Sequence, residues 1–331
     1  MAIEQIWSTS GKIEKTNGGE IVEFKEILGN EKIKDILLKS LKNKTVLHSY
    51  MFIGNEGIGK NLIANQYAKM ILCENFNEQT MKECGKCKSC IEFTSNNNPD
   101  FKIIESDGKI IKIEQIREMQ KKILEKPIIS NRKVYIINDA DLMTKEAQNC
   151  LLKTLEEPPE YITIILIVSN ENKMLTTIKS RCMKLQFQKI EDKEIQNFLK
   201  KNYEIENLSE SILNLCNGSI GKALKIKEKI EDYNKIENII INMNKSLITM
   251  LNSAEILYKS KDDIYNYLEY INVILYQLSK QNINCKTKYV NSIKIVEETK
   301  KHLLANSNYD MSIDRLLFKI WEEINEKNSW S

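Results

Sequence analysis

Y-M-F-I-G-N-E-G-I-G-K-N, Tyr50 to Asn61, decides the fold. Four apolar residues, Tyr50–Ile53, have the length and composition of a buried strand. They run into a loop carrying Gly54, Gly57 and Gly59, and a helix follows over Leu62–Leu72. The loop matches G-x-x-x-x-G-K-[ST] at every place but the last, where Asn61 stands. Glycines let backbone N–H groups wrap a phosphate, and the helix N-terminus adds favourable potential. Lys60 is the group that would meet the β- and γ-phosphates. Asn61 replaces the hydroxyl that ligates Mg²⁺, and its amide oxygen is longer and differently aimed. ATP with Mg²⁺ is therefore expected to bind weakly or not at all.

Outward from this loop the chain alternates strands and helices. Further strands are expected over Phe101–Glu105, Val134–Asn138, Tyr161–Val168 and Met183–Phe187. A helix over Ile113–Leu124 carries Ile113, Ile116, Met119, Ile123 and Leu124 as one stripe, and Pro127 stops it. This alternation predicts an α/β fold, a parallel P-loop sheet with helices on both faces. After Lys189 the strand signal ends. Residues 190–230 read as three short helices. From about Asn234 the chain is helical, including Ile264–Gln281, Val290–Leu304 and Ile313–Ile324, whose wide apolar stripes need partner helices. The expected order is a flexible extension (1–20), the sheet domain (21–189), a small helical lid (190–233) and an all-α C-terminal domain (234–331).

Composition narrows the function classes. Charged residues make up 29% and the net charge is +3, so no whole-protein cationic field demands nucleic acid. No apolar run reaches the roughly 18 residues that a membrane helix needs. The start, M-A-I-E-Q-I-W-S-T-S, lacks a secretory pattern. A cytoplasmic protein without membrane contact is expected, with its eight cysteines as thiols or metal ligands.

Cys84, Cys87 and Cys90 are spaced C-x-x-C-x-x-C, and Cys73, at the end of the helix that follows the phosphate loop, precedes Cys84 with ten residues between them. Four thiolates would close a structural zinc site within an insertion over 73–90. Gly85 eases the turn between ligands. An iron–sulfur cluster and a metal-free insert are the alternatives. Cys150, Cys182, Cys216 and Cys285 read as core residues. Neither His48 nor His302 has a partnering cluster.

L-L-K-T-L-E-E-P-P, Leu151 to Pro159, ends an apolar helix on two acids and two prolines; S-R-C, Ser180 to Cys182, follows the next strand. With F-K-E-I-L-G-N-E (Phe24–Glu31), L-H-S-Y-M-F-I-G (Leu47–Gly54), the cysteine insert and A-N-S-N-Y-D-M-S-I-D-R-L-L (Ala305–Leu317), most of the chain resembles the AAA+ clamp-loader subunits of bacterial DNA polymerase III. The resemblance makes Ala305–Leu317 the last helix of a C-terminal collar. It makes Arg181 an arginine finger that acts on a neighbouring subunit's ATP. It places Asn138 where an ATPase carries its magnesium-binding aspartate and Asp139 where it carries the catalytic glutamate. Ser169 and Asn170 fall at the γ-phosphate sensor, and Lys222, in G-S-I-G-K-A (Gly218–Ala223), at a sensor arginine.

Asn138 removes a charge, Asp139 is one methylene short, and Lys222 lacks arginine's fork. Such erosion resembles the delta prime branch rather than the gamma/tau motors. The resemblance then implies a stator without ATPase or polymerase activity of its own, in an accessory complex of a DNA-directed DNA polymerase, the nucleotidyltransferase of the holoenzyme. The implied partners are gamma/tau and delta subunits, the sliding clamp indirectly, and primed DNA through the ring. A gamma/tau-type motor and a stand-alone nucleotide-dependent switch or DNA-binding module are the alternatives.

Overall fold

All five expected strands form, as β1 (Ser49–Ile53), β2 (Phe101–Ile104), β3 (Lys133–Ile137), β4 (Ile162–Val168) and β5 (Met183–Gln186). The computed structural model describes Phe24 and residues 27–205, 208–243, 248, 250–251, 254–282 and 285–325. The extension expected over residues 1–20 lies outside them. The strands make one parallel sheet in the order β2-β3-β4-β1-β5. β1, β3 and β4 are buried throughout, which is why they read as unbroken apolar runs rather than alternating ones.

Alternate residues feed two cores. Tyr50, Phe52, Val134, Ile136, Ile165 and Ile167 face one side, with residues of α1 (Glu31–Lys42) and α2 (Lys60–Leu72) such as Leu37, Ile63 and Tyr67. Met51, Ile53, Tyr135, Ile137, Ile164 and Leu166 face the other. There they meet Ile116, Met119 and Ile123 of α4 (Ile113–Ile123), and Ala147 and Leu151 of α5 (Lys145–Glu156). The short α3 (Lys88–Thr94) closes the cysteine insert and puts Phe93 into the first core.

Two sequence expectations are corrected. Leu124 is not part of the α4 stripe: it caps the helix C-terminus and is 76% exposed, because the helix ends one residue before it. Cys285 is not a core residue; it is exposed at the start of a helix.

The chain divides into two compact units. The first runs through Glu194 and takes in Ser219–Gly221; the second holds Ile195–Gly218 and the chain from Lys222 onward. The helical region contains α6 (Thr176–Lys179, still within the first unit), α7 (Asp192–Tyr203), α8 (Glu210–Cys216), α9 (Ile220–Lys227) and α10 (Ile230–Ile241). It continues with α11 (Glu255–Lys259), α12 (Ile264–Gln281), α13 (Lys286–Leu304) and α14 (Tyr309–Asn325). α12 is the hub of the second unit, packed by α8, α10 and α13, with α14 against α13. Tyr233 of α10 meets Tyr267 and Tyr270 of α12 edge-on at 5.4 and 5.1 Å. The two α12 hydroxyls donate to Asp232 and Glu237, so the aromatic cluster is buried without stranding its polar ends. Among the described residues no helix is long and apolar enough to cross a membrane.

Candidate functional site

The phosphate loop lies where the sequence puts it, between β1 and α2. Gly54, Gly57 and Gly59 all have positive φ, and Gly59 caps α2 in the left-handed region. A Cβ on Gly54 would fall 2.5 Å from Ile58 Cδ1 and 3.0 Å from Phe187 Cβ, so only glycine fits. Lys60 is buried, and its ammonium turns back on the loop: Nζ donates to Gly54 O at 2.6 Å, Asn55 O at 2.7 Å and Ser169 Oγ at 3.4 Å. Gly221 N donates to Gly57 O at 3.0 Å, and a Cβ on Gly221 would sit 3.0 Å from Gly57 Cα. That close backbone approach accounts for the second glycine of G-S-I-G-K-A.

Burial lowers the Lys60 pKa to about 8, although Asp139, Asp141 and Glu56 oppose the fall. Unfolded lysine holds its proton up to about 10.4. Between these values the unfolded chain binds more protons, so this group makes stability rise with pH there. Lys60→Met should lose that rise, so the stability difference between wild type and variant, read from melting curves measured from pH 7.5 to 10.5, should grow in favour of wild type as pH increases. An unchanged difference across the range would refute the burial argument.

At the end of β3, Asn138 Oδ1 accepts the N–H of Asp139, which is itself in the left-handed region at φ 46°. Burial and the neighbouring Asp141 raise the Asp139 pKa, with Lys60 opposing. Sequence reasoning missed Asp141. It is buried and accepts the Ser169 N–H at 3.0 Å, tying the end of β3 to the end of β4. Its signal is a second acid two residues beyond Asp139 in a turn that is otherwise apolar. Glu56, inside the loop, was also passed over. Three carboxyl groups thus act on one ammonium, an environment that repels a polyphosphate unless a cation accompanies it. Asn170 is exposed and its Oδ1 caps the next turn by accepting Asn172 N; it is Ser169 that reaches Lys60. Lys222 pairs with Glu269 at 3.6 Å within the second unit.

Arg181 lies just beyond α6. Its carbonyl accepts the Ser49 hydroxyl at 2.7 Å, fixing the backbone beside β1. Its guanidinium donates through Nη1 to Thr177 O at 2.9 Å, and Nη2 lies 2.8 Å from Glu156 Oε1. The side chain is about one-third exposed, so the charge reaches the surface on a braced stem. Cys182 next to it is buried, and burial pushes its thiol up to about 11.

The four insert cysteines come together, their Sγ atoms all within 4.8 Å of one another. Cys73 caps the end of α2 and Cys87 the start of α3. Gly85 takes φ 66° between them, the turn expected of it. Backbone N–H groups point at the sulfurs: Cys84 N to Cys73 at 3.3 Å, Cys87 N to Cys84 at 3.3 Å and Cys90 N to Cys87 at 3.4 Å. Burial opposes ionisation of Cys84, but the N–H groups of Lys86 and Cys87 outweigh it and hold its pKa at about 7. Burial drives Cys73 up to about 11 and Cys90 higher still. Four crowded sulfurs, one easily ionised and two resisting it, suit a cation that would neutralise them all. A tetrahedral metal with about 2.3 Å bonds needs sulfurs roughly 3.8 Å apart. The donor set fits a structural metal and is compatible with zinc. Buried Lys69 and half-buried Glu83, 3.0 Å apart, tie the insert to α2.

Residues 29–191 match the family model described as DNA polymerase III, delta subunit. This part of the chain is a DNA polymerase III delta-subunit-like domain. The chain is 30% identical over 244 residues to the DNA polymerase III subunit tau/gamma of Haemophilus influenzae, covering 71% of this chain and 35% of that protein. It is 32% identical over 200 residues to the DNA polymerase III subunit delta' of Bacillus subtilis, covering 60% of each. The match thus spans about a third of the first relative's length and three fifths of the second's. Among solved structures, a DNA polymerase III gamma-subunit-related protein from Thermotoga maritima aligns with a TM-score of 0.48 and 18% identity, over 88% of this chain and 100% of that one. Identity to the tau/gamma and delta' relatives is nearly equal, so the site residues must decide between them.

Proposed function

We propose that this chain is a delta prime-type stator of the bacterial clamp loader, a cytoplasmic protein that serves a neighbouring subunit's ATP site rather than its own. The observation that carries the reading is the contrast between two cationic groups. Lys60 is committed to its own loop carbonyls and ringed by Glu56, Asp139 and Asp141. Arg181 is held at the surface on a pinned backbone. Asn61 and Asn138 supply amides where magnesium wants a hydroxyl and a carboxylate. Asp139 is too short to place the attacking water. A guanidinium aimed at developing phosphate charge is a large catalytic asset, and one beside an eroded site makes sense across an interface.

On this reading residues 190–233 form a lid and 234–331 a collar that gathers gamma/tau and delta subunits. The clamp is met indirectly. Primed DNA is met through the assembled ring, by phosphate-directed and salt-sensitive contacts. Zinc in the Cys73, Cys84, Cys87 and Cys90 set is structural.

The motor alternative keeps its standing from the tau/gamma relative, and hydrolysis separates the two. The isolated chain should turn over ATP negligibly, and Lys60→Ala should change nothing measurable. Steady-state turnover at motor-like rates that Lys60→Ala abolishes would establish the motor instead. Assembly disposes of the stand-alone module: mixed with gamma/tau and delta subunits of its own organism, the chain should enter one complex on size exclusion and restore clamp loading.

A further inference from the structure

We propose that Glu156, the first acid of the E-E-P-P run, is a positioning residue that sets the plane of the Arg181 guanidinium; this rests on the finger reading above. Glu156 is the last residue of α5, and Leu155 before it is buried. Pro158 and Pro159 then force the chain out of the helix. The carboxylate is therefore delivered from a fixed helix end. Arg181 comes from a different element, the turn after α6, with its backbone tied to Ile178 O and to the Ser49 hydroxyl.

The guanidinium is gripped from two directions, Nη1 by Thr177 O at 2.9 Å and Nη2 by Glu156 Oε1 at 2.8 Å. Two contacts to a planar fork define its plane; one would leave it free to swing. The remaining N–H groups have no partner among the described residues and are available to a phosphate. A latch that must open would oppose the finger. The pair is 34% and 48% exposed, too wet for a strong lock but adequate to bias orientation. The same geometry gives a function to the acid and the prolines: one places the carboxylate, the others end the helix there.

The test uses reconstituted loader rings and DNA- and clamp-stimulated ATPase. Glu156→Ala should lower kcat roughly three- to fivefold, the range of a well-formed exposed ion pair. KM for ATP, melting temperature, metal content and ring assembly should not change. Glu156→Gln keeps an acceptor in the same place and should recover most of the rate. In an Arg181→Ala background, Glu156→Ala should add nothing. If Arg181→Ala lowers the rate and Glu156→Ala leaves it unchanged or raises it, the positioning role falls while the finger stands. If Glu156→Ala costs as much without Arg181 as with it, the effect is structural and the proposal fails. If Arg181→Ala itself has no effect, both readings fall.

Discussion

Cys87→Ser should empty the cysteine centre and release the insert while the sheet stays folded. Serine is a good helix N-cap, and Cys87 caps α3 by accepting Cys90 N, so the substitution keeps the cap and removes only a ligand. What remains is a site with two buried thiols and no cation to bind them. Phe93, 4% exposed, and the Lys69–Glu83 pair then lose the anchor that holds them against α2. Undocking one large aromatic costs about 2–3 kcal/mol, and the loosened pair adds to it. The melting temperature should drop by roughly 10 °C. Hydrogen exchange should rise across residues 74–95 and stay low in β1, β3 and β4. Wild-type protein should carry one zinc per chain by metal analysis. A metal-free chain with full protection of the insert would refute the site, and iron with a visible absorption band would replace zinc by a cluster.

The sheet was legible because its central strands are buried on both faces and therefore read as pure apolar runs between turn signals. The strand edges shifted by a residue or so, since a ladder ends where partners end. Leu124 misled because apolar character cannot tell a helix's last inward position from the residue that caps it. The cysteine centre was legible from spacing, since its ligands are local in sequence. Partners distant in sequence were not. Nothing in the chain announces that Glu156 and Arg181, separated in sequence by β4, meet, that Lys222 finds Glu269, or that Asp141 takes the Ser169 N–H. The first and last of these follow from how the assembled sheet and its flanking helices bring their ends together, and the Lys222–Glu269 pair from the helices α9 and α12 of the second unit; none is local in sequence. The phosphate loop was legible as a motif, but the inward turn of Lys60 depends on carbonyls that the loop's own φ angles aim at it.

Arg181→Ala should produce the largest loss of activity and almost no loss of structure. The backbone anchors of residue 181, to Ile178 O and the Ser49 hydroxyl, survive truncation. The side chain is partly exposed, and the carboxylate it leaves behind, on Glu156, is hydrated. Folding, metal content and ring assembly should therefore be nearly unchanged. Catalysis is different. An arginine finger is worth about 10³–10⁵ in kcat at the site it enters, because it meets developing charge without having to reorganise. The neighbouring site should fall silent, and stimulated ATPase of the ring should drop by that site's share, with clamp loading slowed accordingly. Arg181→Lys should rescue poorly: an ammonium cannot hold Thr177 O and Glu156 and still present a planar edge to phosphate. Isolated chain offers the control, since its own negligible turnover should not respond to either substitution. Rings carrying Arg181→Ala that keep full stimulated ATPase and clamp loading would reduce Arg181 to a surface arginine paired with an acid. The eroded phosphate loop would then have no counterpart elsewhere in the chain.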